Sequence, residues 1–173
     1  MNKEELIELL KKCKAIQFGH FVLRSGSVSN YYIDIKKAST DPLILKKIAE
    51  SMAEYTKGYE VLAGMELGAV PLVVALSLET NIPFVIVRKE KKEHGTGKQI
   101  EGEDVKGKKV LIIEDVTTSG GSVVKTIQVI RENQGIVDKV IAVVDRQSGA
   151  KEKMKDLNID FIPLLSVDEI LKK

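Results

Sequence analysis

The densest chemistry in the chain lies between Val110 and Val123, in VLIIEDVTTSGGSV. Two carboxylates, Glu114 and Asp115, follow four apolar residues. Val116 leads into three hydroxyl residues (Thr117, Thr118, Ser119), then Gly120 and Gly121, and a helical pattern opens at Ser122. The apolar run reads as a buried strand. A strand that ends in acids and turns through such a loop into a helix suits a phosphorylated ligand. Free N–H groups of the loop and of the helix N-terminus favour a phosphate, and the acids can hold hydroxyls or a hard cation beside it. A plain turn with a Ser/Thr cap is the simpler reading, but a cap needs one hydroxyl and no acidic pair. G-x-x-x-x-G-K-[ST] and G-x-G-x-x-G are both absent, which disfavours a triphosphate loop and a dinucleotide fingerprint.

Four further groups carry weaker signals. GMELGAVP, 64–71, also follows a strand pattern; its small residues let backbone approach a ligand, and Pro71 suits a helix start. A plain loop explains it equally well in isolation. Arg88, Lys89, Lys91, Lys92 and His94 crowd one glycine-bearing stretch. Most such charge runs are solvated faces, yet cations closing over a polyphosphate would gain strength as water leaves. Arg146 follows the strand pattern VIAVVD and can grip a carboxylate or phosphate bidentately, or form a surface ion pair. Finally, Arg24, Tyr31 and Tyr32 belong to a segment that precedes the main alternating pattern. The tyrosines could cover an aromatic ring or be half-buried strand residues. His20, between two phenylalanines, is expected to pack rather than catalyse.

These residues need elements to hold them. Asn2 and Glu5 fit a capping box ahead of an apolar stripe of Leu6, Ile7, Leu10 and Cys13. Residues 18–35 suggest a hairpin or irregular hood. Asp41-Pro42 opens a helix with Ile44, Ile48, Ser51 and Tyr55 on one face. Strands are then expected at 60–63, 84–87, 109–113, 139–144 and 160–164, and helices at 71–80, 122–133, 150–157 and 167–171. Continuous apolar strands alternating with helices imply an α/β fold: a Rossmann-like parallel sheet with helices on both faces. Ligands in such sheets bind beyond the C-terminal strand ends. Residues 88–108 break the rhythm with four glycines and many charges, the signature of a mobile binding loop. A single domain spanning 1–173 is expected, with 1–40 as helix and hood and 41–173 as the α/β core.

The bulk numbers exclude several classes. With 27 basic and 25 acidic residues, the charge of +2 gives no argument for nucleic acid or membrane partners. The apolar runs are too short to span a bilayer, and no secretory pattern opens the chain, so a cytoplasmic location is expected. One cysteine excludes an internal disulfide framework, and with only two histidines a zinc site is improbable.

Taken together, the motifs resemble the type I phosphoribosyltransferases, and within them the orotate enzymes. VLIIEDVTTSGGS looks like the family's phosphoribosyl-pyrophosphate (PRPP) motif. RKEKKEHGTGK matches the R-K-x-x-K-x-H-G signature of the mobile catalytic loop, FGHFVLRSGSVSNYYID is similar to the hood, and DRQSG to the substrate-arginine turn. The resemblance implies transfer of phosphoribosyl from PRPP to orotate in pyrimidine biosynthesis, with Mg²⁺, in a homodimer whose loop reaches the neighbouring subunit. It implies that Glu114 and Asp115 hold the ribose hydroxyls, partly through Mg²⁺. Val116, Thr117, Thr118, Ser119, Gly120, Gly121 and Ser122 would cradle the 5-phosphate, and Arg88, Lys89, Lys92 and His94 the pyrophosphate. Thr118 and Arg146 would fix orotate, Arg24, Tyr31 and Tyr32 would line the hood, and Lys92 would be the key catalytic cation. Two departures stand out. The acidic pair is Glu-Asp where many relatives carry Asp-Asp, and Gly68 stands where some carry lysine, so the second anion loop would rely more on its backbone N–H groups. Rival readings are a transferase for another base, a non-catalytic sensor of the sugar diphosphate, and a receiver-type domain.

Overall fold

The computed structural model describes residues 2–22, 28–90 and 98–172. Helix α1 (Lys3–Lys12) begins where the Asn2 side chain accepts from the Glu5 amide at 2.8 Å, and buries Leu6, Ile7 and Leu10. The Glu5 carboxylate lies 3.4 Å from Lys47, so it pairs across helices instead of completing the expected capping box. Strands β1 (Ile16–Val22) and β2 (Val28–Ile33) form an antiparallel two-stranded hood, with Phe18 opposite Tyr31 and a bulge before Phe21. His20 is exposed on this ribbon, contrary to the packing role expected from its neighbours; a two-stranded ribbon has no second layer to cover it.

A four-residue helix that sequence periodicity misses, α2 (Ile35–Ala38), follows, capped by Asp34. Helix α3 (Pro42–Ala53) is capped by Asp41 and buries Ile44, Ile48, Ala49 and Met52. Its buried face therefore runs through Met52, not Ser51, and Tyr55 lies past its end. The core then alternates: β3 (Val61–Met65), α4 (Val70–Thr80), β4 (Phe84–Val87), β5 (Ile100–Gly102), β6 (Lys109–Thr117), α5 (Gly121–Glu132), β7 (Ile136–Asp145), α6 (Ala150–Asp156), β8 (Asp160–Ser166) and α7 (Val167–Leu171).

The main sheet has the order β5-β4-β3-β6-β7-β8, parallel except for β5. Strand β6 shows why its sequence is continuously apolar. Leu111 and Ile113 join a core layer with residues of α1, α3 and α4, while Val110 and Ile112 join a second layer with α5 and α6. Both faces of the strand are buried, so no polar residue is tolerated until the strand emerges.

Two expectations are corrected here. Strand β6 does not stop at Ile113; pairing with β7 carries it through Thr117, with Glu114 opposite Ala142 and Thr117 opposite Asp145. The two acids therefore belong to a hydrogen-bonded strand end, not to a free loop. Nor is the whole of 88–108 loose. Ile100–Gly102 adds an antiparallel edge strand to β4, and Val105 is fully packed in the second layer. Residues 91–97 lie outside the described residues.

Candidate active site

Chain order and sheet order disagree at one place. After β3 the chain moves outward to β4, and it then returns to place β6 on the other side of β3. Crossovers leave in opposite directions there, which opens a crevice between the loops following β3 and β6. The EDVTTSGG and GMELGAVP segments form its two lips.

On the β6 lip, Glu114 is buried and Asp115 half-buried. Ser122 Oγ donates to Glu114 Oε2 at 2.8 Å, and the Asp115 amide donates to Glu114 Oε1 at 3.0 Å. Asp115 Oδ1 accepts from the Val116 amide at 2.8 Å. Burial raises the Glu114 carboxyl well above the usual range, the adjoining Asp115 carboxylate pushes it further by hydrogen bonding and repulsion, and the Ser122 hydroxyl opposes the shift. Such a group is poised to gain from a ligand hydroxyl or a cation. Beyond the acids, Thr118 and Ser119 are exposed. Gly120 has φ 76°, and a Cβ there would sit 3.2 Å from Ala150 Cα; the glycine lets α5 and α6 pack closely. No side chain caps α5, so its first N–H groups face outward for an anion. The Thr117 hydroxyl is not available to a ligand: it is buried and donates to Asp145 Oδ1 at 2.9 Å.

On the β3 lip, Gly68 presses against the acids. A Cβ at Gly68 would stand 2.0 Å from Asp115 Oδ2. Gly64 plays a packing role, since a Cβ there would meet Val73 at 2.6 Å. The Glu66–Leu67 peptide is cis. Glu66 Oε1 accepts from the Lys89 amide at 2.9 Å, and Lys125 Nζ donates to the Lys89 carbonyl. Arg88 is tied to Gln99 by bonds at its amide and its carbonyl, both 2.9 Å. The start of the basic segment is thus anchored to both lips. Between the lips lies a cleft of about 410 Å³ lined by Lys36, Glu66, Gly68, Lys89, Glu114 and Asp115. A hollow of about 560 Å³ beside β5 is larger, but surface residues of 98–106 and 132–134 line it, away from the strand ends.

The hood meets the site at Arg146. Its guanidinium lies 5.2 Å from the Tyr31 ring centroid, and its buried Nε has no hydrogen-bond partner. The Arg146 amide donates to the Thr117 carbonyl at 2.9 Å, locking the β6 and β7 ends together. Tyr32 stacks instead with Phe21 at 5.6 Å and is exposed. Arg24, Lys92 and His94 lie outside the described residues.

Sequence reasoning missed Lys36. Helix α2 presents it to the cleft, its Nζ 3.3 Å from Asp34 and 3.9 Å from Asp115. Burial pulls its pKa down, but Asp115 and Asp34 together outweigh burial and leave it raised. The signal lay in the tripeptide Asp34-Ile35-Lys36, a capping acid two residues before a cation, hidden in what looks like a solvated lysine pair. Among the described residues no group of three or more His, Cys, Asp or Glu side chains could hold a metal alone. The hard oxygens of Glu114 and Asp115 do fit Mg²⁺, which commonly takes one or two carboxylates and completes its shell from substrate and water. No helix among the described residues is long and apolar enough to cross a membrane.

The phosphoribosyl transferase domain family matches residues 32–170. The chain is 54% identical over 170 residues to an orotate phosphoribosyltransferase of Methanocaldococcus jannaschii, covering 98% of this chain and 97% of that one. Among solved structures, orotate phosphoribosyltransferase from Aeropyrum pernix superposes with a TM-score of 0.87 at 32% identity, covering 96% of each chain. The Mycobacterium tuberculosis orotate phosphoribosyltransferase in complex with 5-phospho-α-D-ribosyl 1-diphosphate superposes at 0.82 with 29% identity, covering 97% of this chain and 98% of that one. The likeness extends over nearly the whole length of the chain that carries these two lips, and the chain belongs to the orotate phosphoribosyltransferases of the phosphoribosyl transferase family.

Proposed function

We propose that the protein transfers the phosphoribosyl group of PRPP to orotate, giving orotidine 5′-phosphate and diphosphate. The observation that carries the reading is the end of β6, where two carboxylates and an open helix N-terminus stand within one short turn across from Gly68. The acids accept hydrogen bonds from the ribose hydroxyls, and backbone N–H groups of 116–122 hold the 5-phosphate. Ser122 and Thr117 contribute through backbone and packing, because their hydroxyls already serve Glu114 and Asp145. Arg146 offers its guanidinium fork to the orotate carboxylate, with Tyr31 beside it and Thr118 on the adjoining lip. Tyr32 and Arg24 belong to the same hood.

Departure of diphosphate leaves C1 of the ribose cationic, so the protein's task is to orient N1 of orotate and to balance the leaving charge. Mg²⁺, when bound near Glu114 and Asp115 through substrate oxygens, supplies charge neutralisation on the diphosphate. Arg88, Lys89, Lys92 and His94 supply the rest, with Lys92 as the principal cation. The working unit is a homodimer that receives the loop of 88–108 from its partner. Support for the dimer comes from α4, which is apolar around its circumference yet leaves Val74 and Leu78 exposed, beside an exposed Leu67. The whole chain acts as one domain in the cytoplasm, without nucleic acid or membrane partners.

One assay tests the reading: loss of orotate absorbance with PRPP and Mg²⁺. Turnover is expected with orotate and not with uracil or purines, and it stops when Mg²⁺ is chelated. In the same assay Lys92→Ala is expected to lower turnover roughly 10²–10³-fold. Arg146→Ala should raise the KM for orotate far more than that for PRPP. Turnover with another base and none with orotate would overturn the assignment.

A further inference from the structure

Among the described residues, the cleft is lined by three carboxylates, Glu66, Glu114 and Asp115, against two lysines, Lys36 and Lys89. A diphosphate entering there needs cations. The β3 lip cannot supply one from its own side chains, because any side chain at Gly68 would overlap Asp115. Its backbone is also partly committed, since the Glu66 amide donates to the Val87 carbonyl at 2.9 Å. Lys36 stands where the cation is missing. Asp115 Oδ2, the oxygen that abuts Gly68, is the one that Lys36 approaches, so ammonium and glycine lie on the same side of the acid. The Lys36 side chain is more than half exposed, and the ammonium's contacts at 3.3 and 3.9 Å leave donor capacity for a ligand.

We propose that Lys36 binds the diphosphate of the sugar substrate, delivering from the hood side the charge that the Gly68 position cannot carry. The inference rests on the PRPP reading of the site. It adds a side-chain cation to the backbone N–H groups on which this lip is expected to rely more. Unlike Arg88 and Lys89, which follow the end of β4, Lys36 is set on a capped helix.

Calorimetric titration of wild type, Lys36→Met and Lys36→Arg with PRPP, inorganic diphosphate and ribose 5-phosphate, each with Mg²⁺, tests it. Lys36→Met is expected to weaken PRPP and diphosphate about 10- to 100-fold, the usual loss of a charge-assisted contact, and ribose 5-phosphate less than about threefold. Lys36→Arg should restore most of the lost affinity, and thermal melting should show all three proteins folded. Equal losses for all three ligands would mean that Lys36 only positions Asp115 against the ribose, and would overturn the proposal. So would an unchanged PRPP affinity in Lys36→Met, or an Arg variant as weak as Met. Failure of the wild-type protein to bind PRPP would instead overturn the underlying reading of the site.

Discussion

At Gly68 the absence of a side chain does more than any nearby functional group. The residue does not need a left-handed backbone; what it provides is room for Asp115. The Val116 amide holds the other oxygen of Asp115, Oδ1, and Lys36 approaches the same oxygen that abuts Gly68, so the carboxylate has little freedom to yield. Gly68→Ala is therefore expected to displace the carboxylate and lower PRPP affinity about tenfold or more, a cost of roughly 1.4 kcal/mol or above. Titration calorimetry would show it, and wild-type affinity in Gly68→Ala would disprove the close-packing argument. Glu114 and Asp115 themselves were legible from sequence, because two adjacent acids at the end of a buried strand have few structural uses. Arg146 was not decidable locally; only its place over Tyr31 separates it from a surface ion pair. Lys36 was invisible for the same reason, since the partner that places it in the cleft, Asp115, comes from β6 and only Asp34 comes from its own segment.

Among the elements, β6 and β7 are fixed at both ends by different devices. At the C-terminal end Thr117, Asp145 and Arg146 join them. At the opposite end Tyr59 donates to Asp138 at 2.6 Å, while Lys109 and Lys139 lie 5.9 and 5.8 Å from its ring. The Tyr59 bond holds the Asp138 carboxyl below its ordinary value, with Lys109 and Lys139 adding to the shift and partial burial opposing it. A carboxyl depressed by folding contributes stability above its unfolded pKa and loses that contribution as pH falls through the folded value. Asp138→Asn is thus expected to cost about 1 kcal/mol near neutral pH, and the difference should close below about pH 4, near the unfolded value. Urea unfolding at the two pH values checks it; a difference that persists undiminished at pH 3 would exclude the carboxylate as its source. The helices and interior strands were readable from periodicity and caps. The four-residue α2 and three-residue β5 were not, because pieces so short have no period and form only against neighbours.

For the molecule as a whole, the exposed apolar residues Val74 and Leu78 of α4, with Leu67 exposed in the loop before it, set the remaining prediction. Replacing Leu78 with aspartate places a charge in the proposed dimer contact without touching the monomer core, since Leu78 is 79% exposed. Sedimentation equilibrium should show a dimer of the 19.1 kDa chain converted to a monomer. A wild-type monomer would refute the dimer, and a Leu78→Asp dimer of unchanged affinity would move the interface elsewhere. By itself the sequence determined the layered α/β class, the turn of acids, hydroxyls and glycines, and the family, because burial on both faces and such a run leave local marks. Only the tertiary structure decided which two loops face each other, that Gly68 is a space for Asp115, and that Lys36 of α2 lines the cleft. Those facts depend on strand order and on contacts between residues more than thirty positions apart, and such contacts leave no period, spacing or local composition to read.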